Sequence, residues 1–404
     1  MAAGPIVKQN APLAGLMVVD LTRVLSGPYC TMLLADMGAR VVKIEQPRCG
    51  DDTRAWGPPF VGAESAYFLS INRNKESFTL NVKHPHACGL LERLLARADV
   101  LVENFRPGTM KRLGFDYTTV SARFPRLIYC SISGFGQNGP RMSQPGYDAV
   151  MQAEGGLMSI TGEASGPAYR LGVAIADIVT GMFAAQGITL ALLARERTGK
   201  GQHVDIAMLD STAALLTYQA AIYFATGKAP ERMGNRHPTI VPYETFAGSD
   251  GEFVLAVGND DQWRRFCEAT GLTSLAADTR FATNNDRVTN YEQLRPMLAA
   301  CLRGRSRDEW IEILTFAGVP CGSVRDIREV IQDPQLTVRE MIRSVEHAAL
   351  GAVNVLGVPI KLSDTPGAVR SAPPTLGQHT DRILTDDLGL DREEIAKLRA
   401  GGVV

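Results

Sequence analysis

The chain has 404 residues, of which 45% are hydrophobic and 21% charged, with a formal net charge of −1. That balance excludes the basic excess of a duplex binder, and the length suggests two domains with a large buried core. No apolar run approaches the roughly 20 residues that span a bilayer. The oiliest stretch, 182–194, is interrupted by Gln186 and Gly187 and reads as buried helix. The seven cysteines are odd in number and never spaced Cys-x-x-Cys, the pattern of reduced core thiols rather than of disulfides or zinc. The first ten residues hold one lysine and no apolar stretch, so no signal peptide is expected. A cytoplasmic address follows, or the mitochondrial matrix if the chain is eukaryotic.

Met17–Leu21 is a short apolar strand, and Ser26-Gly27-Pro28 opens a helix with a capping residue and a first-turn proline. The helix runs through Thr31–Met37 and stops at Gly38, and Val41–Glu45 supplies the next strand. This βαβ unit predicts a parallel sheet. Helix Leu90–Ala98 leads into strand Val100–Val102, and strand Leu127–Ser131 ends in Gly134-Phe135-Gly136. Asp177–Arg197 is a long helix rich in Ala and Gly, followed by strand His203–Ala207 and helix Asp210–Ala225. The texture then changes: a strand at Phe253–Val257, helices at 260–270, 290–303 and 307–317, and a closing Val319–Gly322. Segment 334–362 looks like a return to the first domain. The expected class is α/β, a large Rossmann-like parallel-sheet domain plus a smaller α/β domain. The boundaries fall at 1–225, 226–333 and 334–404.

Strand, turn, helix and a closing acid (Glu45) is also the layout of a dinucleotide site. Its turn here is Leu25-Ser26-Gly27-Pro28, with one glycine where that fingerprint needs three, so NAD is not expected. Arg73 and Lys75 sit in Ile71-Asn72-Arg73-Asn74-Lys75, and Asn104, Arg106, Lys111 and Arg112 follow the strand Val100–Val102. Ligands of open parallel sheets bind beyond the carboxyl ends of strands, so as a group these favour a polyphosphate ligand over ordinary surface charge. Asp177 opens the long helix in Ala174-Ile175-Ala176-Asp177. Helix N-cap and nucleophile both fit that position, since free amides and the dipole would keep the carboxylate ionised either way. Asp148, in Pro145-Gly146-Tyr147-Asp148, is equally ambiguous. The six histidines show no ligand spacing, and there is neither a Gly-x-Ser-x-Gly elbow nor a Walker loop. No metal and no prosthetic group are expected, which leaves chemistry a carboxylate can do alone.

Several motifs in order resemble the family III CoA-transferases, a family that also holds the 2-methylacyl-CoA racemases. They are Pro12-Leu13-Ala14-Gly15-Leu16, Asp20-Leu21-Thr22-Arg23-Val24, Glu103-Asn104-Phe105-Arg106-Pro107-Gly108, Gly134-Phe135-Gly136-Gln137-Asn138-Gly139-Pro140 and Leu376-Gly377-Gln378-His379-Thr380. Asp51-Asp52-Thr53-Arg54, Trp56-Gly57-Pro58-Pro59-Phe60 and Asn72-Arg73-Asn74-Lys75 look most like the succinyl-CoA:glutarate subgroup. The resemblance implies an interlocked homodimer, coenzyme A and acyl-CoA as substrates with small carboxylic acids, and neither nucleic acid nor membrane as partner. It places the nucleophile on Asp177 and a helper carboxylate on Asp148, where formyl-CoA transferases have glutamate. Arg23, Val24, Lys75, Asn104 and Arg112 match positions near CoA, with Arg73, Phe105 and Arg106 beside them. Gln46 replaces an arginine of the formyl-CoA transferases, so phosphate contacts are expected to shift, with Arg48 the candidate. Arg54, Arg73, Tyr147, Arg236 and His237 are candidates for the substrate acid. Gly234-Asn235-Arg236-His237-Pro238 lacks the glycine run of the formyl-CoA transferase flap, which argues against oxalate as acceptor.

The implied reaction moves CoA from an acyl-CoA such as succinyl-CoA to a dicarboxylic acid such as glutarate, through an aspartyl anhydride and an aspartyl-CoA thioester. Oxyanion donors are sought among backbone amides at the start of helix 177 or in the 134–140 turn. The first alternative is a racemase or epimerase, which needs a base on each face of the α-carbon. The family's racemases carry a histidine just before the Asp148 position, whereas Tyr147, with an ordinary phenol pKa near 10, is a poor base. The second alternative is a non-catalytic acyl-CoA-binding protein, which would form no covalent adduct.

Overall fold

A computed structural model describes residues 10–404; the expectation of no signal peptide lies, but for Asn10, outside them. The chain divides into two units. The first comprises the chain to Leu157, Leu171–Tyr218 and Pro334–Val404; the second comprises Met158–Arg170 and Gln219–Asp333.

The first unit is built on β1 (Met17–Asp20), α1 (Ser26–Asp36), β2 (Arg40–Glu45), α2 (Ala66–Ile71), β3 (Lys75–Thr79), α3 (Ala87–Leu95), β4 (Val100–Glu103), β5 (Ile128–Ser133), α4 (Asp148–Glu154), α5 (Ile175–Thr198) and β6 (His203–Ala207). The six strands pair in parallel in the order β3-β2-β1-β4-β5-β6. This is the doubly wound order whose direction reverses between β1 and β4. Alternation along the strands fills two cores. Val19, Val42, Phe78 and Leu101 pack with α3 and the C-terminal Ile383 and Leu384 on one face. Val18, Val41, Val100 and Ile128 pack with Cys30 and Leu34 of α1 and Ala184 and Ile188 of α5 on the other.

Strand β3 escaped sequence reading because Lys75-Glu76-Ser77-Phe78-Thr79 carries one large apolar residue; its buried Lys75 and Ser77 are tied to polar partners instead. Helix α5 corrects the expectation that nothing is long and apolar enough to cross a membrane. Its 24 residues pass by length and composition, yet Ala184, Ile188, Ala191 and Leu192 are packed in the sheet core. The expected helix Asp210–Ala225 is two, α6 (Met208–Ala214) and a second over Thr217–Thr226, because Thr217 has φ 37° and interrupts the ladder. The first unit also holds the hairpin Ile342–His347/Gly351–Leu356.

The second unit has a three-stranded antiparallel sheet, β7 (Tyr243–Ala247), β8 (Glu252–Ala256) and β9 (Cys321–Ser323), with β8 central. Helices α7 (Asp260–Thr270), α8 (Tyr291–Leu302) and α9 (Arg307–Phe316) enclose a core around Phe253, Trp263, Phe266 and Trp310. The guanidinium of buried Arg287 donates to the Val241 carbonyl at 2.8 Å and to Asp260 at 2.8 Å, which satisfies a charge that would otherwise oppose burial.

Candidate active site

The loops leaving β1 and β4 meet at the reversal of strand order, where such sheets bind ligands. Asn104 ties them together: its side-chain oxygen accepts from the Arg23 amide at 2.9 Å, and its amide donates to the Arg23 carbonyl at 2.7 Å. Next along, Val24 holds φ 71°, a conformation a β-branched residue adopts only under constraint. Its amide donates to Asp51 at 3.2 Å.

Beneath this loop lies a buried ionic layer. Asp20 accepts from the Thr22 hydroxyl at 2.5 Å and the Thr31 hydroxyl at 2.6 Å. Lys43, wholly buried, donates to the Thr22 carbonyl and to Asp51, each at 2.8 Å. Burial alone would raise the Asp51 pKa, but Lys43 and Thr53 hold it at about 2. Burial lowers the Lys75 pKa to about 8 against the pull of Asp20; its ammonium donates to the Pro28 carbonyl at 2.8 Å and to Asn72 at 3.0 Å. Of this layer only Lys75 was read as part of a site; Asp20, Lys43 and Asp51 were not, since isolated charges carry no spacing signal.

Two cavities share Arg23, Asp52, Phe105 and Arg106 in their walls. The smaller, about 180 Å³, is also lined by Ser26, Tyr147 and Asp177. The larger, about 620 Å³, extends past Gln46 and Cys49 to Lys83 and Arg112. Arg23 lies 3.5 Å from Asp52 and over the Phe105 ring. Arg106 makes no ion pair among the described residues, and the Arg112 guanidinium donates to the Thr109 hydroxyl at 3.0 Å.

Four residues expected to contact the ligand are engaged within the protein or placed away from both cavities. Arg73 is buried and forks onto Asp36 at 3.0 and 2.6 Å, Lys75 is enclosed as above, and Arg54 is held by Glu45 at 2.7 and 2.8 Å over the Phe68 ring. Their donors are already engaged, so they support the site from within. Arg48, at φ 73°, sits on an exposed turn and lines neither cavity. Arg236 and His237 belong to the second unit, where Arg236 stacks on Tyr291 at 3.4 Å and the His237 amide donates to the Tyr243 carbonyl at 2.9 Å.

Asp177 does not cap its helix. The N-cap residue is Ala174, without a side-chain bond, and Asp177 comes a turn later. The capping is done from outside: Asp148 accepts from the Ala176 amide at 2.9 Å and from Gln152 at 2.7 Å. Gln152 in turn accepts from the Leu171 amide at 2.8 Å. Asp177, 9% exposed, is also not held strongly ionised as expected. Burial first, then the charge of Asp148, push its pKa up to about 7, while the Ser26 hydroxyl and amide pull the other way. The α1 N-terminus differs likewise: its N-cap is Leu25, so Ser26 is free of capping duty and faces Asp177. Tyr67, another residue the sequence did not flag, has its phenol pKa raised to about 12 by burial and by Asp177, Asp148 and Asp51 nearby. No group of three or more potential metal ligands occurs among the described residues.

Residues 13–380 match the family described as CoA-transferase family III. The chain is 41% identical over 393 residues to the succinyl-CoA:glutarate CoA-transferase of Mus musculus, covering 97% of this chain and 90% of that one. It is 44% identical over 369 residues to the acetyl-CoA:oxalate CoA-transferase of Acetobacter aceti, covering 91% and 93% respectively. A CAIB/BAIF family protein from Brucella suis superposes with TM-score 0.83 at 42% identity, covering 94% of this chain and all of that one. The chain belongs to CoA-transferase family III and is an enzyme of that class. Such enzymes use CoA thioesters and carboxylic acids as substrates.

Proposed function

We propose that the enzyme transfers CoA from succinyl-CoA to a second dicarboxylic acid such as glutarate, with Asp177 as nucleophile. The observation that carries this reading is the Asp177 carboxyl in the wall of the small cavity, buried, beside a second carboxylate, and raised to about 7. A desolvated carboxylate with a raised pKa is a stronger nucleophile than one free in water. The larger cavity, with Arg106 and Arg112 in its wall, suits the phosphates of CoA.

Asp177 Oδ attacks the thioester carbonyl and the C–S bond breaks, giving a mixed anhydride and CoA thiolate. The thiolate attacks Asp177 Cγ, the Cγ–O bond to the acyl group breaks, and succinate leaves an aspartyl-CoA thioester. The acceptor carboxylate attacks that thioester, releasing thiolate and forming a second anhydride. Thiolate attack on the acceptor's acyl carbon completes the new thioester and restores Asp177. Each step exchanges one activated carbonyl for another, so the thioester energy is conserved. Asp148 positions Asp177 by fixing the first turn of α5.

Relatives of similar identity are named for glutarate and for oxalate, so overall likeness does not set the acceptor; pocket shape does. Met182, Phe183, Leu190 and Leu193 form an exposed apolar stripe along α5, which supports a homodimer in which a second copy covers this face. The primary test is intact-mass spectrometry after mixing with succinyl-CoA, then hydroxylamine, beside Asp177→Ala. A hydroxylamine-sensitive adduct on the unmodified enzyme alone is expected. Bound CoA without any adduct would overturn the covalent cycle. Rates with glutarate and oxalate then rank the acceptors.

A further inference from the structure

We propose that the Ser26 hydroxyl is a further catalytic group, donating to the Asp177 carboxyl and holding the charge that develops there. This rests on Asp177 being the nucleophile. Ser26 is 4% exposed, lines the same small cavity as Asp177, and opens α1, an 11-residue helix with no acid in its first turn and no side-chain cap. An uncapped helix start with free amides favours negative charge, and the carboxyl it meets is supplied by α5.

The meeting is enforced by packing. Gly181 lies one turn beyond Asp177 on the same helix face. A Cβ there would stand 2.6 Å from the Ser26 carbonyl oxygen and 3.2 Å from the Cys30 nitrogen. Only glycine lets the first turn of α1 rest on α5 at that level. From the other side, the Lys75 ammonium holds the Pro28 carbonyl at 2.8 Å, which fixes α1 along its axis.

Three of the donors first considered for an oxyanion are engaged elsewhere. The Ala176 amide is taken by Asp148. In the 134–140 turn, the Gly136 amide donates to the Ser133 hydroxyl at 3.0 Å and the Gln137 amide to Asp205 at 3.1 Å. Ser26 lies in the cavity wall with Asp177, and its hydroxyl and amide both favour the ionised carboxyl. When thiolate attacks Asp177 Cγ, the C–S bond forms and the carbonyl electron pair moves onto Oδ. Collapse restores the carbonyl and expels the carboxylate by breaking the Cγ–O bond. Ser26 keeps its proton throughout and stabilises the oxygen between these events.

The test is steady-state kinetics with succinyl-CoA and glutarate across pH for Ser26→Ala and Ser26→Thr, with the hydroxylamine trap in parallel. Ser26→Ala is expected to lose about 100-fold in kcat, the lower end of the scale for losing one oxyanion donor, with KM for succinyl-CoA little changed. The acid limb of its pH profile moves upward, because a donor to the ionised carboxyl is gone. Its adduct still forms, more slowly, and Ser26→Thr, which keeps the hydroxyl, returns most of kcat and the original limb. Unchanged kcat and limb in Ser26→Ala, or a kcat loss with an unmoved limb, would overturn the proposal. The limb in Ser26→Ala decides alone if Ser26→Thr does not fold. Absence of adduct in the unmodified enzyme would instead remove Asp177 as nucleophile.

Discussion

Two sets of cations surround the β1 loop, and they differ in everything but residue type. Lys43, Lys75, Arg54 and Arg73 lie inside, each against a carboxylate: Asp51, Asp20, Glu45 and Asp36. Arg106 and Arg112 line the larger cavity with no ion pair among the described residues. A buried charge with fixed partners has no donors left for a ligand, and removing one partner strands the other. A cation without a partner at a cavity wall costs little to desolvate against an anionic guest, and a guanidinium presents a ready fork to phosphate. The inner set should therefore govern folding and the outer set affinity.

The largest effect that tests this contrast is Lys43→Ala. It leaves Asp51 buried and unpaired, which costs about 3–5 kcal/mol. Urea unfolding reads the loss directly; a change below 1 kcal/mol would show that water reaches Asp51 and would dissolve the distinction between the two sets.

Asp177 is a buried carboxyl without a cation, and its pH behaviour has the opposite sign to that of Asp51, which Lys43 pairs. Its native pKa is about 7 against an ordinary 3.8. Between those values the folded enzyme keeps a proton that the unfolded chain has released, so this group lowers stability as pH rises through that window. Asp51, held at about 2, contributes stability that is present above 3.8 and lost as pH falls through 2. Asp177→Asn should accordingly match the unmodified enzyme in unfolding free energy, read from urea titration, near pH 4 and exceed it by a few kcal/mol near pH 8. Equal midpoints at both pH values would mean that the carboxyl is not desolvated. Turnover of the unmodified enzyme should fall as pH drops below about 7, because the attacking form is the carboxylate.

The outer part of this contrast was visible in the sequence and the inner part was not. Short apolar runs located β1, β2, β4 and β5, since strands buried on both faces are written as continuous hydrophobics, and β6 was found as a short run after Gly199 and Gly201. Arg106 and Arg112 could be placed because they follow a strand end. Arg73, Lys75 and Arg54 were assigned to ligand because a sequence shows charge without showing what it touches; their partners Asp36, Asp20 and Glu45 lie 37, 55 and 9 positions away. Ser26 was read as a cap because serine before a first-turn proline suits that role. The helix instead begins at Ser26 itself, and one residue of shift converts a cap into a cavity wall. Boundaries of that precision depend on packing, here on Gly181 and Lys75, which local pattern does not contain.

The outer set should show itself in affinity with folding untouched. Arg106→Ala removes the guanidinium shared by both cavities and is expected to raise KM for succinyl-CoA about tenfold, the loss of one charge-assisted bond. Arg112→Ala, farther along the larger cavity, should raise it about threefold at low salt. Ionic strength then separates charge from shape. A contact made across solvent fades as the screening length falls from about 10 Å at 0.1 M to about 3 Å at 1 M salt, so the Arg112→Ala ratio should approach unity in 1 M salt while the Arg106→Ala ratio persists in part. If the Arg112 effect survives high salt undiminished, its side chain closes on the ligand and belongs with the desolvated contacts. The cations would then have to be sorted by the bound state rather than by their ion pairs in the free enzyme.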